Sequence, residues 1–329
     1  MVLGMDTSLL TPPQRRVYHE LLAVGAPRPP ADEDMVAHVR VLLEERTAEV
    51  AEHVAPGARA LTLNKTALDA LDCEGRYVDH LEQPFSWSPA TVLGTLVHRG
   101  IELDQAGRRA YDVPALLAHA WRELAEQGRS AGEYLATLGG IEADAVRAEA
   151  AAKVVEFREC FPLLPPAWTV RVEPRLSVPL HRGALHLLGK PDLVLGRAHP
   201  AERRLLLVDL KTGRRSLRDR ADMRFYALLA ALKYGSAPFR VATYYLDEAN
   251  WDAEDVDADT LEAAARGVAL KAVAAARLLT RPPEHEAATP LRLLAGPSCR
   301  WCGRAPDCPA KAEADADYAL ANPALTGPR

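Results

Sequence analysis

Two short apolar runs in the middle of the chain determine the prediction of the fold. The stretches 189–196 and 205–213 each contain a Leu- and Val-rich run, and Gly196, His199 and Pro200 occur at the polar interruption between the runs. Short apolar runs separated by a turn are typical of neighbouring strands in a hairpin. The pattern therefore predicts a β-hairpin at the centre of the chain.

Strand patterns surround this hairpin, and helical patterns precede and follow it. The strand after the hairpin lies beyond a predicted helix, so it can run parallel to the second hairpin strand, whereas closely spaced strands are expected to be antiparallel. Helices are predicted over residues 62–77, 91–103, 112–128, 143–161, 219–234 and 261–279, and strands over 168–173, 176–180, 184–195, 205–210 and 239–246.

Composition indicates a globular protein with a proper core, because 48% of the 329 residues are hydrophobic. No apolar run is long enough to cross a bilayer and no signal-peptide pattern begins the chain, so we expect no membrane association and a cytoplasmic location. The net charge of -5 argues against a protein coated in basic residues. Residues 197–224 nevertheless contain nine Lys or Arg against four acids, which suits either phosphate contacts or a solvated face.

Chemistry first appears at Asp192, Asp209 and Lys211. Side chains alternate along a strand, so Asp209 and Lys211 share a face while Leu210 points into the core. If Asp192 lies on the facing strand, two carboxylates can hold Mg²⁺, and the lysine can orient or deprotonate a water for attack on a phosphodiester. A surface hairpin with solvated charges is the alternative.

The cysteines indicate a metal centre and argue against a disulfide framework. Cys299, Cys302 and Cys308 have the spacing Cys-x2-Cys-x5-Cys, which lets thiolates from one turn converge on one centre. Three ligands leave a fourth to be found. Cys73 lies near the predicted end of a helix, and Cys160 stands apart.

These features occur in an order that resembles the RecB-type branch of the PD-(D/E)XK nuclease superfamily. The iron-sulfur members are the most similar, and they include CRISPR-associated single-strand nucleases and the nuclease domain of AddB-type helicase subunits. The matching elements are, in order, Cys73, the Gly94-Thr95-Leu96-Val97-His98 helix, Glu173, Gly189-Lys190-Pro191-Asp192, Asp209-Leu210-Lys211, Asp222-x3-Tyr226, and Cys299, Cys302 and Cys308.

The resemblance implies an α/β fold with a restriction-endonuclease-like mixed β-sheet core flanked by helices. We expect a helical N-terminal extension over residues 1–60, a nuclease domain over residues 61–309 closed by the cysteine cluster, and a tail over residues 310–329.

The resemblance also assigns roles to residues of the site. His98, Asp192, Asp209 and the Leu210 carbonyl are expected to hold Mg²⁺ or Mn²⁺, and Lys211 to act on the attacking water. Glu173 is expected either to touch a metal-bound water or a second ion, or to be a surface charge. The four clustered cysteines, Cys73, Cys299, Cys302 and Cys308, are expected to bind a [4Fe-4S] cluster, with zinc as the alternative.

DNA binding is expected from the helix with Tyr226 and from the basic residues around it, Arg214, Arg215, Arg218 and Arg224. The chain departs from the family pattern at Asp222, where glutamine is usual. Because an anion facing phosphate is unfavourable, we expect Asp222 to pair with a neighbouring arginine. A second departure is Glu74, where the family often has proline.

The sequence thus predicts a metal-dependent deoxyribonuclease for single-stranded or end-frayed DNA, in repair, recombination or mobile-element defence. No Walker A motif is present, so a separate helicase, or another recombination or defence protein, is the expected partner. The alternative is a non-catalytic DNA-binding or scaffold subunit of a helicase-nuclease or spacer-acquisition complex.

Overall fold

Two structural units share the chain, and each is assembled from stretches that are distant in sequence. The computed structural model describes residues 7–54, 59–83, 86–107, 109–126, 130–282 and 288–321. The first unit comprises residues 1–40, 86–177 and 189–264, and the second comprises residues 41–85, 178–188 and 265–329. The predicted boundaries at residues 60 and 309 stay predictions, and the parts of the expected extension and tail at 1–6, 55–58 and 322–329 lie outside the described residues.

Helices account for most of the described chain, and none is long and apolar enough to cross a membrane. In the described residues they are α1 (Pro12–Arg16), continued by a π-helical turn (Val17–Leu21), α2 (Glu33–Arg46), α3 (Val50–His53), α4 (Lys65–Ala70), α5 (Glu74–Glu82), α6 (Pro89–Ala106), α7 (Val113–Glu126), α8 (Ser130–Thr137), α9 (Gly140–Cys160), α10 (Leu217–Tyr234), α11 (Ala258–Leu279) and α12 (Pro309–Ala321).

The strands form two sheets, and both are mixed or parallel in part. The strands are β1 (Leu61–Leu63), β2 (Arg171–Val172), β3 (Leu176–Leu180), β4 (Leu185–Gly189), β5 (Leu193–Leu195), β6 (Leu206–Lys211), β7 (Arg240–Tyr245) and β8 (Asn250–Asp255). A five-stranded sheet has the order β2-β5-β6-β7-β8, and a three-stranded sheet has the order β1-β4-β3.

The five-stranded sheet is the centre of the first unit. Strands β5 and β6 are antiparallel, whereas β6 and β7 are parallel and are joined through α10. The predicted hairpin and the predicted parallel strand are both confirmed, as is the mixed α/β fold. Leu206, Val208 and Leu210 project from β6 into a core that contains side chains of α6 and α9. The opposite face of β6 presents Asp209 and Lys211.

Residues 61–82 differ from the predicted single helix. Leu61 and Leu63 are buried on one face of β1, which pairs in parallel with β4. A helix begins only after Asn64, whose side chain accepts a hydrogen bond from the Ala67 N–H. Cys73 stands at the N-cap of the next helix, α5, in an extended conformation. The prediction placed this cysteine near the end of a helix, and it lies instead at the beginning of one.

The predicted strand over residues 184–195 is also divided. It forms β4 in the three-stranded sheet and β5 in the five-stranded sheet, separated at Lys190-Pro191. Proline has no N–H to donate to a sheet, which explains the break. Strand β8 and helices α8 and α12 were not predicted.

Gly196, at the end of β5, has a φ of +88°, and a Cβ there would lie 2.2 Å from the Arg204 carbonyl oxygen. Gly235 has a similar φ of +66°, but a Cβ on this residue would have no atom within 4 Å.

We expect Gly235→Ala to lower the free energy of unfolding by about 1–2 kcal/mol through backbone strain alone. Gly196→Ala should cost about 1–3 kcal/mol more, because the clash is with backbone. Urea unfolding of both variants checks this, and equal losses would contradict the structure.

Candidate active site and cysteine cavity

Three acidic residues lie in one row across neighbouring strands. The antiparallel register pairs Val172 with Leu193 and Leu193 with Val208. Continued by one residue, the same register places Glu173 opposite Asp192 and Asp192 opposite Asp209. A backbone hydrogen bond of 2.8 Å from the Glu173 N–H to the Asp192 carbonyl supports this alignment.

The Asp192 carboxylate is held from two directions. Its Oδ1 lies 2.8 Å from His98 Nδ1, and its Oδ2 accepts a hydrogen bond of 2.6 Å from the Leu210 N–H. Helix α6 places His98 here, and this helix is started by a Ser88 cap and a proline in its first turn. The predicted neighbours His98 and Asp192 are therefore brought together, and the Leu210 backbone lies beside them.

His98, Glu173 and Asp192 can bind one metal ion together. Each offers one ligand atom, and these three atoms all lie within 4.8 Å of one another. A nitrogen with two carboxylate oxygens suits a divalent ion. Lys190 Nζ also lies 2.6 Å from the Glu173 carboxylate, and both of the expected roles of Glu173 stay predictions. The role of Asp209 as a further ligand stays a prediction.

Glu173 has a strained backbone. Its φ of +46° is in the left-handed region, which side-chain-bearing residues seldom adopt. Such a conformation costs on the order of 1–3 kcal/mol and occurs most often at functional sites. Here it ends β2 at the residue whose carboxylate meets His98 and Asp192.

Lys211 lies among three carboxylates. Its Nζ is 2.8 Å from Asp209 Oδ2 and 3.8 Å from both Asp219 Oδ1 and Asp222 Oδ2. Lys211 is therefore one partner of Asp222, and the expected pairing of Asp222 with an arginine stays a prediction. The charge of Asp222 is thus offset inside the site.

Asp219 is a site residue that the sequence analysis missed. Its Oδ2 accepts hydrogen bonds from the Ser216 N–H and the Tyr245 hydroxyl, both at 2.9 Å, while its Oδ1 faces Lys211. The sequence does contain a signature of a helix start at this position, because Ser216-x-x-Asp219 forms the capping box of α10. The box fixes the first turn of the helix against the end of β6.

Thr212, which directly follows β6, lies beside helices α6 and α9. The buried Lys153 Nζ donates to the Thr212 carbonyl at 3.3 Å and pairs with Asp247. A Cβ on Gly94 would meet Thr212 Oγ1 at 3.5 Å, which is an ordinary contact, so alanine would fit.

Charge interactions dominate the protonation of His98. Burial lowers the pKa of His98, but the Asp192 carboxylate, and behind it Asp209 and Glu173, outweigh burial and raise this pKa above its usual value. The site therefore has an excess of negative charge, which is the electrostatic environment that a divalent cation requires.

Tyr226 supports the turn before Asp192. Its ring is 2% exposed, and its hydroxyl donates to the Lys190 carbonyl at 3.3 Å. A Cβ on Gly189 would lie 2.9 Å from Tyr226 Cε1 and 2.5 Å from Leu229 Cδ1, so only glycine leaves room for this helix. Burial, followed by the charges of Asp209, Asp192 and Asp222, raises the pKa of Tyr226. The predicted contact of Tyr226 with DNA stays a prediction.

Several arginines of the predicted DNA-binding surface take part in ion pairs. Arg215 bonds to Glu248 at 2.8 Å and to Asp252 at 2.5 Å. Arg224 and its neighbour Arg220 share the carboxylate of Glu254. Arg214 is exposed, and Arg218 is half-buried. Phosphate would have to compete with these acids, and DNA binding by the four predicted arginines stays a prediction.

The four clustered cysteines line one cavity of the second unit. The cavity has a volume of about 560 Å³ and is lined by Cys73, Cys299, Cys302 and Cys308 together with arginines and leucines of the same unit. The Leu294 N–H donates to Cys73 Sγ at 3.4 Å, and the Gly296 N–H donates to Cys299 Sγ at 3.3 Å. Such N–H donors stabilise thiolate.

The fifth cysteine lies apart from this cavity, and within the described ranges no three cysteine sulfurs all lie within 4.8 Å of one another. Cys160 is half-buried on α9 and does not line the cavity. Burial and the charges of Glu156 and Glu159 raise the pKa of the Cys160 thiol.

Comparison with known proteins identifies the family. The model of the PD-(D/E)XK nuclease superfamily matches residues 70–309, and the chain belongs to this superfamily. The mixed sheet and flanking helices agree with its restriction-endonuclease-like fold. Among solved structures, the crystal structure of SSO0001 aligns over 84% of this chain and 97% of that chain, with 12% sequence identity and a TM-score of 0.30. No curated protein shows significant similarity to the chain.

Glu254 on β8 is paired with two arginines of α10. The hydrogen bonds from Arg224 lower the pKa of Glu254 from 4.5 to about 2; burial opposes this shift, and Arg220 adds to it. The stabilisation is present above pH 4.5 and is lost as the pH falls towards 2. Because Arg220 is 67% exposed, we expect on the order of 1 kcal/mol after solvent screening. Urea unfolding of the wild type against Glu254→Gln should show this loss, and Asp255→Asn, which changes a 72% exposed acid, is the control. Parallel pH profiles of wild type and Glu254→Gln would contradict the pairing.

Proposed function

We propose that the protein is a Mg²⁺- or Mn²⁺-dependent deoxyribonuclease. The observation that supports this most strongly is the group formed by His98, Glu173 and Asp192, with ligand atoms within 4.8 Å of one another. The Leu210 N–H bond to Asp192 connects this group to the strand that ends in Lys211. Membership of a nuclease superfamily agrees with the same chemistry.

The residues present fit a hard divalent ion. His98, Glu173 and Asp192 would hold it, with Asp209 and the Leu210 carbonyl as proposed further ligands. A bound ion would neutralise charge that develops on the phosphate during hydrolysis. Because Asp192 is fixed by both His98 and the Leu210 N–H, its carboxylate is oriented before any substrate arrives.

Lys211 is proposed to act on the attacking water. Its Nζ is held by Asp209 at 2.8 Å and faces Asp219 and Asp222, so the ammonium is fixed in a position from which it can orient the water. The water oxygen forms a bond to phosphorus while the bond from phosphorus to the leaving sugar oxygen breaks. The attacking water loses a proton to solvent and the leaving oxygen gains one from solvent, and no covalent intermediate with the chain is required.

The proposed substrate is single-stranded or end-frayed DNA, cut from an end. The basic segment around Arg214 and Arg218 supports DNA as the ligand, because arginines can contact the phosphates of a DNA strand whatever its base sequence. We place this activity in the cytoplasm, in repair, recombination or mobile-element defence beside a separate helicase or defence protein. The alternative is a DNA-binding scaffold subunit without catalysis.

Lys211→Ala and Asp192→Ala should each reduce metal-dependent cleavage by about 10²–10⁴-fold, because each removes a group that acts in the transition state. The assay uses end-labelled linear single-stranded DNA, linear duplex and circular single-stranded DNA, with Mg²⁺, Mn²⁺ or a chelator. Cutting of linear but not circular strands would indicate an exonuclease.

Lys233→Ala and Asp255→Asn are matched controls, because they change a lysine of α10 and an acid of β8 whose partners are the Arg175 carbonyl and Arg240. Both should cut like the wild type. A folded wild type that binds DNA but cuts none of the substrates with either metal would exclude the nuclease and support the scaffold.

We further propose that Cys73, Cys299, Cys302 and Cys308 bind a [4Fe-4S] cluster. Zinc held by the same four thiolates is the alternative, because thiolates alone do not choose between iron and zinc. The shared cavity and the N–H donors to two of the sulfurs also support the proposal.

Protein purified without oxygen should be brown and contain about four iron atoms per chain, the content of one such cluster. Cys73→Ala should lose the colour and most of the iron. Cys160→Ala is the control, since Cys160 does not line the cavity, and it should keep both. Colourless protein with one zinc per chain would show that the four cysteines bind zinc and not an iron-sulfur cluster. Equal loss of iron in Cys73→Ala and Cys160→Ala would contradict the assignment of the ligands.

A further inference from the structure

Helix α5 contributes a buried acid to the cysteine cavity in addition to Cys73 at its N-cap. Asp79, six residues after the cysteine, is 7% exposed. Its Oδ2 accepts a hydrogen bond of 3.0 Å from the Gly303 N–H, and its Oδ1 accepts one of 2.6 Å from Gln83 Nε2. Gly303 directly follows the ligand candidate Cys302. The carboxylate therefore binds the C-terminal cysteine turn to the helix that begins at Cys73.

The contact between Gly303 and α5 has no space for a side chain. A Cβ on Gly303 would lie 1.9 Å from Gln83 Nε2 and 2.7 Å from Asp79 Oδ1. A second glycine shows the same closeness, because a Cβ on Gly75 would lie 2.6 Å from Leu293 Cδ2. The two close approaches hold the helix and the C-terminal segment against each other through contacts of the protein itself.

The unusual Glu74 adds a third attachment. Its N–H donates to the Arg292 carbonyl at 3.0 Å, and its carboxylate accepts the Arg292 N–H at 2.8 Å. Proline, which the family often has at this position, has no N–H and could make neither bond. The departure from the family pattern thus has a structural use, since it joins the segment before Cys299 to the first turn of α5.

A buried carboxylate close to thiolates is electrostatically unfavourable, because like charges repel. Asp79 lies in such a place, next to the turn that contains Cys302. Its two hydrogen bonds offset the cost, and a buried acceptor with a defined donor fixes the donor in position. The location is best explained if holding the Gly303 N–H is what the residue does.

We propose that Asp79 is a positioning residue for the cysteine centre. It binds the Cys302-Gly303 turn to α5, so that the C-terminal thiols are assembled around Cys73 before a cluster is inserted. The inference rests on the proposed cluster. Asp79 is not a ligand, and its effect on the cluster passes through the backbone of Gly303.

The test compares the rates at which a chelator removes the cluster from full-length wild type, Asp79→Ala, Asp79→Asn and Glu49→Ala, followed by loss of colour. We expect Asp79→Ala to lose the cluster roughly tenfold faster, because it leaves the Gly303 N–H without its acceptor. Asp79→Asn keeps an acceptor oxygen and should stay within about threefold of wild type. Glu49→Ala removes a carboxylate paired with Arg277 in the same unit and should match wild type.

Hydrogen exchange of the cluster-free proteins separates positioning from general destabilisation. Residues 296–305 should exchange faster in Asp79→Ala than in wild type, while β1 and β4 should be unchanged. If Asp79→Ala does not fold, Gln83→Ala replaces it, because that variant frees one carboxylate oxygen and should show the same changes to a smaller degree.

The outcomes distinguish this inference from the proposed function. Wild-type protein that contains neither iron nor zinc would exclude the proposed cysteine centre and therefore the role of Asp79, whatever the result of the nuclease assay. Wild-type protein with a stable cluster that Asp79→Ala releases at the same rate, with unchanged exchange of residues 296–305, would overturn the positioning role alone. Equal losses in Asp79→Ala and Asp79→Asn would also overturn it, since the charge and not the acceptor would then matter.

Discussion

The carboxylate of Asp192 is the interaction on which the candidate active site depends. It receives His98 from α6 on one oxygen and the Leu210 N–H of β6 on the other. One side chain thus fixes the distance between a helix and two strands, and it does so where Glu173 also arrives. A charged group that is 8% exposed needs such bonds, because burial of an unpaired carboxylate would be very costly. The hydrogen bonds that offset the burial of Asp192 are therefore the same ones that orient its carboxylate in the candidate site.

The parts of the site that sequence could predict are those set by local geometry. Alternation along β6 placed Asp209 and Lys211 on one face, and the hairpin placed Asp192 opposite Asp209. These relations follow from the two-residue period of a strand and need no knowledge of distant contacts. The role of His98 came only from the resemblance, since His98 lies 94 residues before Asp192 and meets it only in the folded chain.

The parts that sequence could not predict depend on residues that meet only in the folded chain. Nothing near Lys211 in sequence indicates that Asp219 and Asp222 will face it, since this depends on how α10 packs after the loop. The segment with Arg215 and Arg224 appeared to be a basic patch because the acids that pair with these arginines, Glu248, Asp252 and Glu254, lie on or beside β8, which was not predicted. The left-handed backbone of Glu173 likewise has no sequence signal, because glutamate seldom adopts it.

The order of the cysteines along the chain has a consequence for synthesis. Cys73 leaves the ribosome more than two hundred residues before Cys299, which corresponds to about 10–40 s of translation at ordinary rates. For about the first half of that interval α5 and β1 lack β3 and β4, and they lack the C-terminal segment throughout it. The second unit therefore cannot be complete until the C-terminal segment has been synthesised. Until then Cys73 lacks the three other cysteines that line its cavity.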